Sequence, residues 1–225
     1  MLLSWERTLD LAYFNHRVIS EVNKQQQVNW LLVDLGLENI TEEQINQMLD
    51  KMLIGFNRLF KYKSIQQANL GYFRMLDISK KGDRFHSRIH ILLPMIKSYF
   101  QGRYYIKYDN WISLWKRALG IENDVYVKVK VVNGKENGRE VFQEKLLKLR
   151  EQESEIPYRK SKMITSRRLI GYSKLLKHVM DQLINENKSH LDTDKLCIED
   201  AVANQAFVNM LDWHPGLRED GETLF

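Results

Sequence analysis

The chain has 225 residues, 44% of them hydrophobic and 28% charged, with a formal net charge of +5 at pH 7. That is the composition of one ordinary globular core, and its basic balance favours polyanionic partners. The single cysteine, Cys197, excludes an intramolecular disulfide and a cysteine-based zinc centre, and no apolar run approaches the ~20 residues of a membrane helix.

Taken in chain order, residues 4–24 place Trp5, Leu9, Ala12, Tyr13 and His16 at helical spacing, which predicts an amphipathic helix ending in the polar run NKQQQ. A strand follows over Val28–Ile40. Thr41-Glu42-Glu43-Gln44 has the form of a capping box, and Ile45, Leu49, Met52, Phe56 and Leu59 form the buried stripe of a helix reaching about residue 62. Two strands are expected at 68–79 and 84–93, the second stopped by Pro94. Asp109 is the expected cap of a short helix whose Trp111 and Trp115 pack under a sheet. Tyr126–Val132 alternates valine with tyrosine and lysine, so one face is buried and the other basic.

Beyond it, a charged helix is expected over Gly138–Gln152, a loop over Ser154–Ser166 and a helix over Leu169–Asn187. The tail carries one expected strand near Phe207–Leu211. This order predicts an α+β class, an antiparallel sheet covered by helices, with a C-terminal helical segment and tail. The expected organisation is an N-terminal helix at 1–27, a main domain at 28–187 and a tail at 188–225 that packs on it. MLLSWERTLDL has neither a basic leader nor a sustained apolar run, which together with the lone cysteine predicts a cytoplasmic protein.

The stretch most charged with chemistry is Gly71–His90, GYFRMLDISKKGDRFHSRIH. Read as a hairpin, it puts His86, Arg88 and His90 on one face, because residues two and four apart on a strand point the same way. A two-residue turn at Lys81-Gly82 would set Asp77 opposite His86 and Phe73 opposite His90. Two imidazoles and a carboxylate gathered there suit a divalent cation such as Mg²⁺ or Mn²⁺; ordinary surface or core histidines are the alternative. Tyr99-Phe100-Gln101-Gly102-Arg103-Tyr104-Tyr105 interleaves aromatic and basic residues, and suits either stacking of single-stranded bases or a hydrophobic core.

FHSRIHILL, followed by Ser98-Tyr99-Phe100 and by Trp111 with Trp115, resembles the plasmid rolling-circle replication initiators, the Rep proteins of the HUH endonuclease superfamily. Their pattern at this point is an aromatic, then H-P-H-hydrophobic-H. The likeness extends upstream through GYFRMLDIS and MLIGFNRLFKYK, and downstream through RRLIGYSKLLKHV and Trp213-His214-Pro215-Gly216-Leu217. Similar initiators often begin with a cysteine-bearing segment, which leads us to expect a shortened N-terminus here.

The resemblance implies an HUH-type fold and a nicking reaction. A divalent cation held by the histidine pair polarises the scissile phosphate, and a tyrosine attacks it to leave a phosphotyrosyl link. Three positions depart from the pattern. Arg88 stands where the first histidine of the pair belongs and cannot ligate a metal, so that His86, His90 and Asp77 become the expected ligands. The helix that should carry the nucleophile retains Glu144 but has no tyrosine; the nearest is Tyr158, taken as the candidate nucleophile with Glu144 as a catalytic partner. The first strand has Asp34 and Gly36 in place of the two threonines of an L-T-L-T run, read either as another acidic metal contact or as the mark of a decayed strand.

Arg88, Lys128, Lys130, Arg167 and Arg168 are the expected DNA contacts. The implied partner is plasmid origin DNA, single-stranded or as a hairpin, with host replication proteins beyond it and no membrane. Three readings stand: an initiator that nicks one origin strand with metal and tyrosine, a catalytically inactive relative that binds DNA, and an unrelated metal hydrolase whose His/Asp site acts on water.

Overall fold

A computed structural model describes residues 8–135, 140–144, 167–186, 199–213 and 215–218. Its elements are α1 (Thr8–Gln25), β1 (Val28–Ile40), α2 (Ile45–Leu59), α3 (Lys63–Gln66), β2 (Gly71–Lys81), β3 (Arg84–Ile96), α4 (Tyr108–Leu119), β4 (Tyr126–Val132), β5 (Ile170–Ser173), α5 (Lys174–Asn185), α6 (Ala201–Met210) and β6 (Gly216–Arg218). The strand order is β4-β1-β3-β2-β5, every neighbouring pair antiparallel, and β6 joins β2 in parallel beyond the end of β5. The class is α+β, an antiparallel sheet with helices on both faces.

Strand alternation divides the core in two. Leu31, Val33 and Leu35 of β1, with Ile89, Ile91 and Leu93 of β3, face α2 and α4. Trp111 and Trp115 are fully buried there, and the Trp115 indole donates to the Gly36 carbonyl at 3.3 Å. Truncating either tryptophan removes on the order of 3–5 kcal/mol. The opposite face carries Trp30, Leu32, Phe73, Met75, Leu92 and Val132, covered by α1, α5 and α6. A polar relay ties these layers together: the Trp30 indole donates to Asn23 at 2.8 Å, Asn23 donates to Asp200 at 2.8 Å, and Asp200 accepts the Ala203 amide at 2.9 Å as the N-cap of α6.

Several expectations are corrected. The hairpin turn is Gly82-Asp83, one residue later than Lys81-Gly82, with Gly82 taking the positive φ of 59° that a side chain resists. Asp77 therefore faces Arg88, and His90 faces Met75. Both arms shift together, so Asp77 keeps the face shared with His90.

β3 runs through Pro94 instead of stopping there. The Pro94 carbonyl accepts from Leu70, so its missing N–H also points toward the β2 side, just outside the first residue of β2. Thr41 and Asp109 are not side-chain caps: the N-caps of α2 and α4 are Gln44 and Lys107, neither with a side-chain bond. Residues 170–173 form a strand before α5 begins, and the strand expected near Phe207–Leu211 is instead the end of α6. In a buried segment the apolar run alone does not separate the two periods.

Candidate functional site

Directly paired residues share a face, so the sheet can be read in rows across β4, β1, β3 and β2. One row is Lys128–Asp34–His90–Met75 and the next Tyr126–Gly36–Arg88–Asp77. These rows lie toward the hairpin turn, on the face whose other half is closed by α1, α5 and α6. Polar side chains occupy the face where this helical cover ends.

His90 is the centre of the arrangement. Its Nδ1 lies 2.8 Å from Asp34 Oδ1 and its Nε2 lies 3.2 Å from Asp77 Oδ2. Trp213 stacks on the ring, 4.9 Å between centroids and 13° from parallel. Burial works against a charged imidazole, but the hydrogen bonds and charges of Asp34 and Asp77 outweigh it and raise the His90 pKa above its ordinary value. Asp77 is shielded because β6 pairs along Asp77–Ser79. Side-chain exposure falls from 16% at Asp34 to 9% at His90 and 3% at Asp77, which makes the β1–β4 side the open approach.

Arg88 occupies a built slot. Its guanidinium pairs with Glu38, donates to the Leu37 carbonyl at 3.4 Å and lies 3.6 Å from the centroid of the Tyr126 ring. A Cβ on Gly36 would stand 2.8 Å from Arg88 Cδ and 2.5 Å from the Ser87 carbonyl oxygen. The glycine is therefore what admits the arginine. The two departures in β1 each face a residue of the β3 motif: Asp34 opposite His90 and Gly36 opposite Arg88.

The other candidates are placed as follows. His86 is half-buried opposite Ser79, four residues from His90 and so ~13 Å along the strand. Lys128 is exposed beside Asp34, while the Lys130 ammonium donates to Asn209 at 3.0 Å. Arg167 is fastened to α2 through Asp50 at 2.9 Å and Asn46 at 3.1 Å, on the opposite side of the sheet. Arg168 is exposed, its Nε donating to the Ile170 carbonyl. Glu144 is exposed in the helical segment 140–144, whose Phe142 packs on His16 and Phe207. Tyr158 lies outside the described residues. Tyr172 is half-buried with its hydroxyl 3.0 Å from Asn15, and desolvation of the phenol raises its pKa above the ordinary tyrosine value.

Among the described residues no group of three or more His, Cys, Asp or Glu side chains is arranged to hold a metal ion. The pair of His90 Nε2 and Asp77 Oδ2 nevertheless fits a divalent cation as two neighbouring donors: octahedral bonds of ~2.1 Å place adjacent donors about 3.0 Å apart, and such ions commonly fill their remaining positions with water and phosphate oxygens. Asp34, on the far nitrogen, would orient the ring. Trp213, Gly36 and Glu38 were not singled out as site residues from sequence. Register alone could have found Gly36, since it requires knowing which β1 residue faces Arg88.

A family model described as "Replication protein" matches residues 2–219. The chain is similar to Protein rep of Bacillus amyloliquefaciens, 32% identical over 249 residues that span 96% of this chain and 73% of that protein. It is 36% identical to Protein rep of a Bacillus sp over 136 residues, 60% of this chain and 44% of that one. It is 26% identical to the Replication protein of Staphylococcus aureus over 223 residues, 87% of this chain and 93% of that one. No solved structure matches.

Proposed function

The chain belongs to the rolling-circle plasmid replication-protein family, and from that premise we propose that it binds plasmid origin DNA and nicks one strand. The observation that carries this reading is the Asp34–His90–Asp77 array on the polar half of the sheet, His90 and Asp77 buried and Asp34 at its open side. It holds one imidazole in a fixed orientation beside a carboxylate, with Lys128 exposed next to it for a phosphate.

A bound Mg²⁺ or Mn²⁺ would polarise the scissile phosphate, with His90 Nε2 and Asp77 as its protein donors. Asp34 fixes the imidazole, Trp213 excludes water from one ring face, and His86 is left to face the DNA near the turn. Tyr158 is the proposed nucleophile. Its oxygen bonds to phosphorus, the bond to the 3′-oxygen breaks and that oxygen leaves with the electron pair and takes a proton from solvent water; Glu144 is the proposed acceptor of the phenolic proton. The phosphotyrosyl ester conserves the bond for rejoining. Origin DNA, as a single strand or a hairpin, is the partner in this reading, with host replication proteins acting on the exposed 3′ end.

A second reading, a relative that binds origin DNA without nicking it, is favoured by Arg88, whose guanidinium is engaged by Glu38 and Tyr126 at the position of the first histidine of the pair. One experiment separates the two. Single-stranded origin oligonucleotides labelled at the 5′ or 3′ end are incubated with Mn²⁺ or EDTA and run on denaturing gels. A Mn²⁺-dependent nick, with the 3′-labelled fragment shifted by covalent protein and the shift lost in Y158F, is the expected result. Binding with no nick under any metal would sink the nicking reading.

A further inference from the structure

On the other side of the sheet, α3, the connection before α4 and the outer face of α4 enclose a hollow of about 390 Å³. That is within the ~300–1,000 Å³ range of small-ligand sites. Asn110, Ser113, Leu114 and Arg117 line one wall at helical spacing, since Trp111 and Trp115 turn the opposite face of α4 into the core. No carboxylate lines the hollow. Neither of its arginines, Arg103 and Arg117, meets a carboxylate among the described residues. Each instead lies over a tyrosine ring, Arg103 at 4.8 Å from the Tyr104 centroid and Arg117 at 4.2 Å from that of Tyr62.

Beside these cations stands an aromatic platform. Tyr105 is 48% exposed and Phe100 42% exposed, their centroids 5.9 Å apart. Both rings rest edge-on against Tyr99, which is buried and whose hydroxyl accepts the Ile106 amide. The platform is therefore held from below while its upper faces stay in water. Exposed aromatic faces next to uncompensated guanidinium groups are what unpaired nucleic acid requires: bases stack on the rings and phosphates meet the cations. Duplex DNA keeps its base faces stacked internally and has no use for the rings.

We propose that this hollow is a second DNA site, taking a short single-stranded segment with bases on Tyr105 and Phe100 and phosphates on Arg103 and Arg117. That the segment comes from the replication origin rests on the function proposed above; that it is single-stranded rests on the hollow. The sheet lies between this site and His90, so a strand held here does not compete for the His90–Asp77 pair.

The test uses the whole chain and fluorescein-labelled twelve-residue oligothymidylate, read by anisotropy across a salt series. R103A/R117A is expected to bind at least 10-fold more weakly, with a salt slope smaller by about 1.4, the release expected for two single-strand phosphate contacts. Y105A should weaken binding by roughly 5- to 100-fold with its salt slope unchanged. R103A/R117A should weaken oligothymidylate binding whether or not the wild type nicks origin DNA, and should leave any Mn²⁺-dependent nicking at saturating oligonucleotide in place, so that failure of the nicking reading and failure of this one appear in different assays. R103K/R117K, with circular dichroism melting on every variant, separates lost contacts from lost fold. Wild-type affinity in R103A/R117A would overturn the proposal, as would an equal loss for a duplex of the same length, or binding of polyglutamate in preference to the oligonucleotide.

Discussion

At the residue scale, the pairing of Gly36 with Arg88 makes two departures from the family pattern one change. A guanidinium with its Tyr126 and Glu38 partners needs volume above β1 that only a glycine leaves open. G36A should therefore destabilise the protein by about 1–3 kcal/mol, measured as a shift in urea midpoint. Adding R88A should recover only part of that loss, because the Ser87 carbonyl remains 2.5 Å from the new methyl; a double-mutant cycle reads the remainder. Asp34 acts differently, as a positioning residue. On the nicking reading proposed above, D34N keeps the volume but weakens the hold on Nδ1 of His90, so a Mn²⁺-dependent nick should slow about 10–100-fold, with a higher Mn²⁺ concentration needed for half-maximal rate. A drop in rate with the Mn²⁺ dependence unmoved would place Asp34 outside the metal's second layer.

At the element scale, α6 is held by polar contacts as well as by its apolar residues. Asp200 caps the helix and reaches Asn23, which in turn holds the Trp30 indole of β1, so D200A should cost about 1 kcal/mol or more in thermal or urea unfolding. The contrast between α6 and β4 shows what was legible. Tyr126–Val132 is found in the structure with the bounds read from its alternation, because valine at every second position fits a half-buried strand alone. AFVNML could not be separated in the same way: it is apolar on several sides, and its helical state is decided by Asp200 and by the α1 surface beneath it. The hairpin was legible, but its turn was off by one residue because Lys81-Gly82 and Gly82-Asp83 both offer a glycine. His90 with Asp77 was visible as a pair from strand parity. Asp34 became a partner, and Trp213 a cover, only through contacts between segments far apart in sequence.

At the scale of the whole molecule, one sheet separates two cores, and the one covered by α1, α5 and α6 responds to pH through His16. His16 is buried between α1, Phe142 and Phe207, with Nε2 2.9 Å from Asn204 Oδ1. Burial lowers its pKa, against the upward pull of Asn204 and Asp200. The unfolded chain takes up this proton near ~6.5 and the folded chain only at lower pH, so the contribution of His16 to stability is present at neutral pH and is lost progressively as pH falls below that value. Between pH 7.5 and 5.5 the wild type should lose about 1 kcal/mol more than H16L in urea unfolding. Equal losses would show that His16 is protonated in the folded state.

Trp213 carries a consequence for synthesis. The sheet strands β1 to β4 are all made before residue 133, but the ring that lies on His90 is contributed by a segment emerging from the ribosome much later. A nascent chain can thus assemble most of its scaffold while the imidazole and Phe73 still lack their indole cover. The Asp34–His90–Asp77 array therefore gains its indole cover only when the C-terminal segment docks, late in synthesis.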